Sequence, residues 1–295
     1  MGARLYCGFH EGQEIVAGQC PQIDAAVPGG VRARPLFRGG AVGYDISVPS
    51  TSSSPPDEFS GFAPRALTWL RDLAANNRRE WFEAQRDVYE RELRIPLRAL
   101  VEELDVRLAE RVPEIMGDPK RSVFRIHRDV RFSRDKSPYK THVSCWFFHR
   151  RSSKSVGSSS PDGGAAGFYF HLEPRASIVA GGMWMPPRPS LNRIRERLET
   201  DQAGFERAVA GAPFKRFYQR LSEEAMLTRL PRGYAEGHPA WRWLRYQSFT
   251  ASTPLTAREV TSRSLPDLVM DRFVALTPLV RWLNTALGYA PATRR

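Results

Sequence analysis

Apolar positions recur with a helical period once the chain passes residue 60, and the period changes to two near residue 124. Behind Pro64, a residue suited to a first helical turn, Ala66, Leu67, Leu70, Leu73 and Ala74 form one stripe. Asn76-Asn77 breaks it. Asn77 and Glu80 have capping-box spacing and predict the start of a second helix carrying Trp81, Phe82, Val88 and Tyr89. Pro96 has no amide proton to give and is expected to interrupt that helix. Leu97, Leu100, Val101, Leu104 and Leu108 mark a third.

From Phe124 to Phe132 the pattern alternates. Phe124, Ile126, Val130 and Phe132 fall on one side, Arg125, His127, Asp129 and Arg131 on the other. This predicts a strand with an apolar back and a charged front, with Arg128 as a cation on the apolar side. Further strands are predicted at His142 to His149, Gly167 to Glu173, Ser177 to Met185 and Trp243 to Phe249. Cys145-Trp146-Phe147-Phe148 is apolar on both sides, which favours a core strand over an aromatic platform for single-stranded nucleic acid. After Pro186-Pro187, Leu191, Ile194, Leu198, Phe205 and Val209 predict one or two helices. Phe217 and Leu221 suggest a short helix. Leu268 to Leu287 closes the chain as a helix that Pro278 is expected to kink. Helices, then strands, then helices predict an α+β fold: an antiparallel sheet with helices packed on one face and a polar, basic strand face opposite.

Residues 1–58 are rich in Gly, Pro and Ser and end in Thr51-Ser52-Ser53-Ser54-Pro55-Pro56. They are expected to be a disordered leader, or the product of a misassigned start. Residues 59–290 are expected to form a single α+β domain with a flexible, Ser/Gly-rich loop at 151–165.

Charge changes this picture. The formal net charge is +12, and it is uneven. Residues 1–60 hold four Arg against six acidic residues, a net of −2; residues 120–151 hold ten Lys or Arg against two Asp, a net of +8. A local field of that sign favours anionic partners, although a solvated basic face would look the same. Only five of the 44 cations are Lys, and three of those, Lys120, Lys136 and Lys140, fall in the basic stretch. Where an Arg-rich chain keeps Lys, a compact ammonium is the feature it retains. The three cysteines, Cys7, Cys20 and Cys145, form no CxxC pair, so neither a disulfide framework nor a zinc site is indicated. No apolar run reaches the length of a membrane span, and no signal-peptide pattern opens the chain. A cytoplasmic protein with no membrane partner is the expectation.

The basic stretch contains Arg125-x-x-Arg128-Asp129-x-Arg131-Phe132-x-x-Asp135-Lys136-x-x-Tyr139-Lys140. This pattern resembles the signature of a bacterial family called domain of unknown function 2461. Asn76-Asn77 with Trp81-Phe82 upstream, and Gly167-Phe168-Tyr169-Phe170-His171-Leu172-Glu173-Pro174 with Gly181-Gly182 downstream, agree with it. The resemblance spans about residues 60–290. It implies one domain and a bacterial-type cytosolic protein, and it implies no activity.

Read from the residues, Arg125 and Arg131 could chelate a phosphate or carboxylate, with Lys136 and Lys140 adding point charges and Tyr139, His171 and Glu173 nearby. Alternatively Arg128, Asp129, Arg131 and Asp135 pair among themselves and lock a turn, and Asp135 caps Asp135-Lys136-Ser137-Pro138. His171 and Glu173 share a strand face with Tyr169. They could ligate a metal with His142 or His127, but the spacing is unspecific and no metal is assigned. His171 could instead act as an acid–base group beside a bound anion. No phosphate-loop, dinucleotide, nucleophile-elbow or HExxH motif occurs, and no cofactor is specified. The leading expectation is a domain that binds or acts on a small phosphorylated or otherwise anionic ligand. The alternatives are a nucleic-acid-associated protein using the same basic face, and a structural domain whose motif only supports the fold.

Overall fold

The computed structural model describes residues 59–152, 164–235 and 237–292. The expected leader at 1–58 lies outside the described residues, as does most of the expected loop at 151–165.

Helix α1 (Pro64–Ala75) buries Ala66, Leu67, Leu70 and Leu73 of the predicted stripe and Trp69 besides, while Ala74 is exposed. Helices α2 (Arg79–Ala84) and α3 (Arg86–Tyr89) run through a π turn (Glu90–Arg94) into α4 (Ile95–Arg111). Two expectations are corrected here. Pro96 does not stop the helix. It cannot donate to the Glu92 carbonyl, and the backbone widens into the π turn just ahead of it and stays helical. The capping box at Asn77 and Glu80 is absent as well: Arg78 occupies the cap without a side-chain bond, and Asn77 is used elsewhere.

Five strands, β1 (Ile115–Met116), β2 (Val143–His149), β3 (Gly167–Leu172), β4 (Ile178–Met183) and β5 (Phe249–Pro254), form one sheet in that order. All neighbours are antiparallel. Between β4 and β5 come α5 (Arg188–Thr200), α6 (Gln202–Ala210), α7 (Ala212–Phe217) and α8 (Trp241–Leu244). After β5 come α9 (Ala257–Val260) and α10 (Leu265–Ala286), which continues through Pro278.

The fifth strand was expected at Trp243 to Phe249. It begins at Phe249 instead, and Trp241–Leu244 is a helical turn. Phe249, Ala251 and Thr253 point into the core between exposed or half-buried Thr250, Ser252 and Pro254. So few large apolar side chains leave only a weak period of two. The strand expected at Phe124 to Phe132 does not form either. Residues 117–142, which connect β1 to its neighbour β2, make only the isolated bridges Val123–Cys145 and His127–Tyr139. Of the four supposed inward residues only Ile126 is buried, while Phe132 is 76% exposed. Short-range polar contacts, described below, replace the ladder there.

Helix α10 covers one face of the sheet. Phe273 stacks on Phe168 with centroids 4.6 Å apart, and Phe62 stacks on Phe170 at 6.1 Å. Gly181 and Gly182 permit this packing rather than forming a phosphate loop. A Cβ on Gly181 would meet Leu276 Cδ1 at 2.9 Å. Gly182 has φ +117°, and a Cβ there would lie 2.0 Å from the Phe249 carbonyl oxygen. Every one of these elements contributes buried apolar side chains to one cluster. Among the described residues, no helix is long and apolar enough to cross a membrane.

Candidate functional site

The sheet face away from α10 carries polar chemistry. Strand pairing sets Ser144 opposite His171, and lines up Trp146, Tyr169, Ala180 and Ser252 across β2 to β5. On β3 the alternation places Tyr169 and His171 on this face, with Glu173 just beyond the strand end. Their side chains form a chain of hydrogen bonds. The Tyr169 hydroxyl lies 2.9 Å from His171 Nδ1, and His171 Nε2 lies 3.1 Å from Glu173 Oε2. A carboxylate can only accept, so in the neutral form of the ring the proton is assigned to His171 Nε2 and Nδ1 accepts from the Tyr169 O–H. His171 is buried and Glu173 half-buried.

Residues leading into β2 border this chain. Thr141 donates to Glu173 Oε1 at 3.4 Å. The His142 ring lies 4.2 Å from that of His171, centroid to centroid. Burial, followed by the His171 and Lys140 charges, pushes the pKa of His142 down to about 2, so it stays neutral. The Lys140 ammonium sits 5.6 Å above the Phe124 ring, whose centroid is 6.2 Å from that of Tyr169. Toward β5, Ala180, Ser222, Glu224, Ser248, Thr250 and Ser252 are among the residues that line a small pocket.

The rest of the basic motif builds a self-locked loop. At its base Arg128 N–H donates to the Pro138 carbonyl at 2.9 Å, and Lys140 N–H to the Ile126 carbonyl at 2.8 Å. Tyr139 is buried and stacks on Phe82 at 4.1 Å; burial raises its pKa. Asn77 clamps the backbone of Tyr139 on both sides, donating to its carbonyl at 2.8 Å and accepting from its amide at 3.0 Å. Inside the loop, the side chain of Arg128, 8% exposed, pairs with Asp135. Asp135 also accepts from the Ser137 hydroxyl at 2.7 Å and amide at 2.9 Å. These Ser137 bonds first, then Arg128, hold the Asp135 carboxyl well below the usual carboxylate range. Asp129 and Arg131 pair at 2.6 Å, which lowers the Asp129 pKa to about 2. Lys136 Nζ donates to the Val130 carbonyl at 2.9 Å.

The expected site residues therefore fall into two groups. Lys140, His171 and Glu173 gather at the sheet face. Arg131 and Lys136 lie in the loop with Arg128, Asp129 and Asp135, Arg125 is exposed at its start, and Tyr139 is buried beneath it. His127 belongs to the loop base, 5.1 Å from the Tyr139 ring, apart from the His142–His171 pair. Among the described residues no three His, Cys, Asp or Glu side chains are grouped to hold a metal ion. Sequence reasoning placed Tyr169 on the right face but left it out of the site. Its i, i+2 spacing from His171 was the available signal. The pocket residues Ser222 and Glu224 had none.

A family model described as a conserved hypothetical protein (DUF2461) matches residues 65–282, a span that includes both the loop and the sheet-face chain. No curated protein and no solved structure matches the chain.

Proposed function

The chain belongs to the DUF2461 family of conserved hypothetical proteins, and on that premise we propose that it binds a small anionic ligand and moves a proton at the Tyr169 hydroxyl. The observation that carries this reading is the unbroken chain Glu173–His171–Tyr169, with bonds of 3.1 and 2.9 Å. His171 Nδ1 takes the phenolic proton, and Glu173 stabilises the imidazolium that results. This is the division of labour by which a carboxylate supports a histidine base. The phenolate then abstracts a proton from the ligand, and the reverse sequence donates one. Neutral His142 beside His171 leaves the imidazolium without a competing charge from that side.

Lys140, whose ammonium sits over the Phe124 ring at the edge of this face, supplies a cation that fits a phosphate or carboxylate as a point charge. Arg125, Arg131 and Lys136 strengthen the field of the same sign from the adjoining loop. Arg128, Asp129 and Asp135 serve the loop's internal lock. The reading thus combines a ligand-facing role for part of the motif with a structural role for the remainder.

Thermal shift of the full chain against inorganic phosphate, nucleotides, sugar phosphates and dicarboxylates tests the proposal. At least one anion should raise the Tm; a ligand at a hundred times its Kd stabilises by about 2.7 kcal/mol. Lys140→Ala should abolish that response. Tyr169→Phe should keep it, because the phenol acts on the ligand after binding. A wild-type chain indifferent to the whole panel, or a Lys140→Ala variant that responds normally, would overturn the reading.

A further inference from the structure

The loop at 126–140 poses a separate question, independent of the chemistry at Tyr169: what it is locked in order to present. Its base is closed by two backbone bonds and the Asn77 clamp. Its interior is tied by Arg128 to Asp135, Ser137 to Asp135, Asp129 to Arg131, and Lys136 to the Val130 carbonyl. None of these contacts buries Phe132, whose 76% exposure is the greatest of any large hydrophobic side chain described. A loop held by polar contacts gains no stability from a phenylalanine left in water. Such a network does fix the position of a ring at its tip, removing the ordering cost that binding would otherwise carry.

The surroundings of the ring define its partner. Residues 125–136 hold five Lys or Arg (Arg125, Arg128, Arg131, Arg134 and Lys136) against Asp129 and Asp135, a net of +3. Both carboxylates are already paired inside the loop. Arg131 lies 5.9 Å from the Phe132 ring centroid, and Arg125, Arg134 and Lys136 are exposed. We propose that this loop is a stacking platform for single-stranded nucleic acid: Phe132 takes a base against its free area, while Arg134, Arg125 and Arg131 meet the flanking phosphates. An exposed aromatic ring within a cationic rim is the combination such sites use, and stacking accepts any base.

Two other anionic partners fit less well. A lipid surface needs more apolar anchorage than one ring beside a few charges, since stable attachment takes a substantial buried area. A folded acidic protein needs a broad complementary patch, whereas the apolar part of this tip is one side chain. A flexible strand adapts to a small platform. The +12 charge of the chain also draws a polyanion from a distance.

Fluorescence anisotropy of the full chain with a fluorescein-labelled oligothymidylate tests the proposal over a salt series. Wild type should bind, with affinity falling as salt rises. Phe132→Ala should weaken binding about 5- to 100-fold at fixed salt. Arg134→Ala should reduce the salt slope by about one. Phe132 is on the surface, so its variant should melt with the wild type, and circular dichroism checks this. Three results would each overturn the proposal. They are no binding by wild type, equal affinity of Phe132→Ala and wild type, and Phe132-dependent binding to phosphatidylserine vesicles without binding to the oligonucleotide. The second would reduce the loop to a nonspecific cationic surface, and the third would make it a lipid contact.

Discussion

A guanidinium on the inner side of a loop is tolerated when polar partners offset its burial, and Arg128 finds them in Asp135 and the Ser137 carbonyl at 3.3 Å through Nη1 and in the Ser133 hydroxyl at 3.5 Å through Nη2. Arg125 lies three residues earlier, carries the same charge and is exposed, with no ion pair among the described residues. The two arginines should therefore respond differently to truncation. Arg128→Ala removes a nearly buried group and lowers stability by about 1–3 kcal/mol. Arg125→Ala falls within about 0.5 kcal/mol of wild type. Urea midpoints of the two variants measure the contrast, and equal midpoints would mean that the loop's lock contributes nothing. If Arg125→Ala also loses the anion response expected of the ligand site, its charge acts on the ligand rather than the fold.

Between elements, the decisive contact is Asn77, which joins the turn before α2 to the loop base 62 positions later in sequence. Asn77→Ala leaves the Tyr139 amide and carbonyl without their partner and should destabilise the chain by about 1–3 kcal/mol. Hydrogen exchange at the Tyr139 amide should accelerate more than exchange within β3, because the opening is local. Uniform acceleration would place Asn77 in the global core instead. This contact also shows where the sequence was legible. Asn77 was read as a local cap because capping has a short-range signature, whereas a clamp on a distant backbone has none. Helices α1, α4 and α10 and strand β3 were readable from apolar residues at their own period, and β2 and β4 as short apolar runs buried at every position. Strand β5 was displaced because its inward positions after Phe249 are Ala251 and Thr253. The 124–132 segment has the alternation of a strand, yet its polar side chains bond to one another and to nearby backbone, and the ladder is lost. Within the candidate site, Tyr169, His171 and Glu173 were legible as one face because alternation along a strand is local. Their proximity to Lys140 and His142 depends on the pairing of β2 with β3.

At the scale of the whole molecule, acid should act through two separate windows. His142 is held neutral by burial and by the neighbouring His171 and Lys140, with its pKa near 2 against 6.5 ordinarily. His149 is also lowered, again chiefly by burial. A histidine depressed in the fold takes up its proton first in the unfolded chain. Below the unfolded value the unfolded state binds more protons, and stability falls as pH drops. These histidines therefore stabilise fully above about pH 6.5 and progressively less below it. Asp129 and Asp135 are depressed by their hydrogen bonds. Their contribution is present above the ordinary carboxylate range and is lost only as pH falls through it, below about 4. The growing positive charge of an already cationic chain adds repulsion in the same direction. Urea midpoints of the full chain between pH 7.5 and 4.5 should accordingly decline from about pH 6.5, before the carboxylates titrate. His142→Gln removes one titrating group while keeping a polar side chain beside His171, and should flatten that decline by up to about 1.4 kcal/mol per pH unit. His149 and the growing charge repulsion contribute to what remains. An unchanged slope in His142→Gln would show that His142 accepts its proton in the folded protein, and the neutral partner assigned to His171 would then be lost.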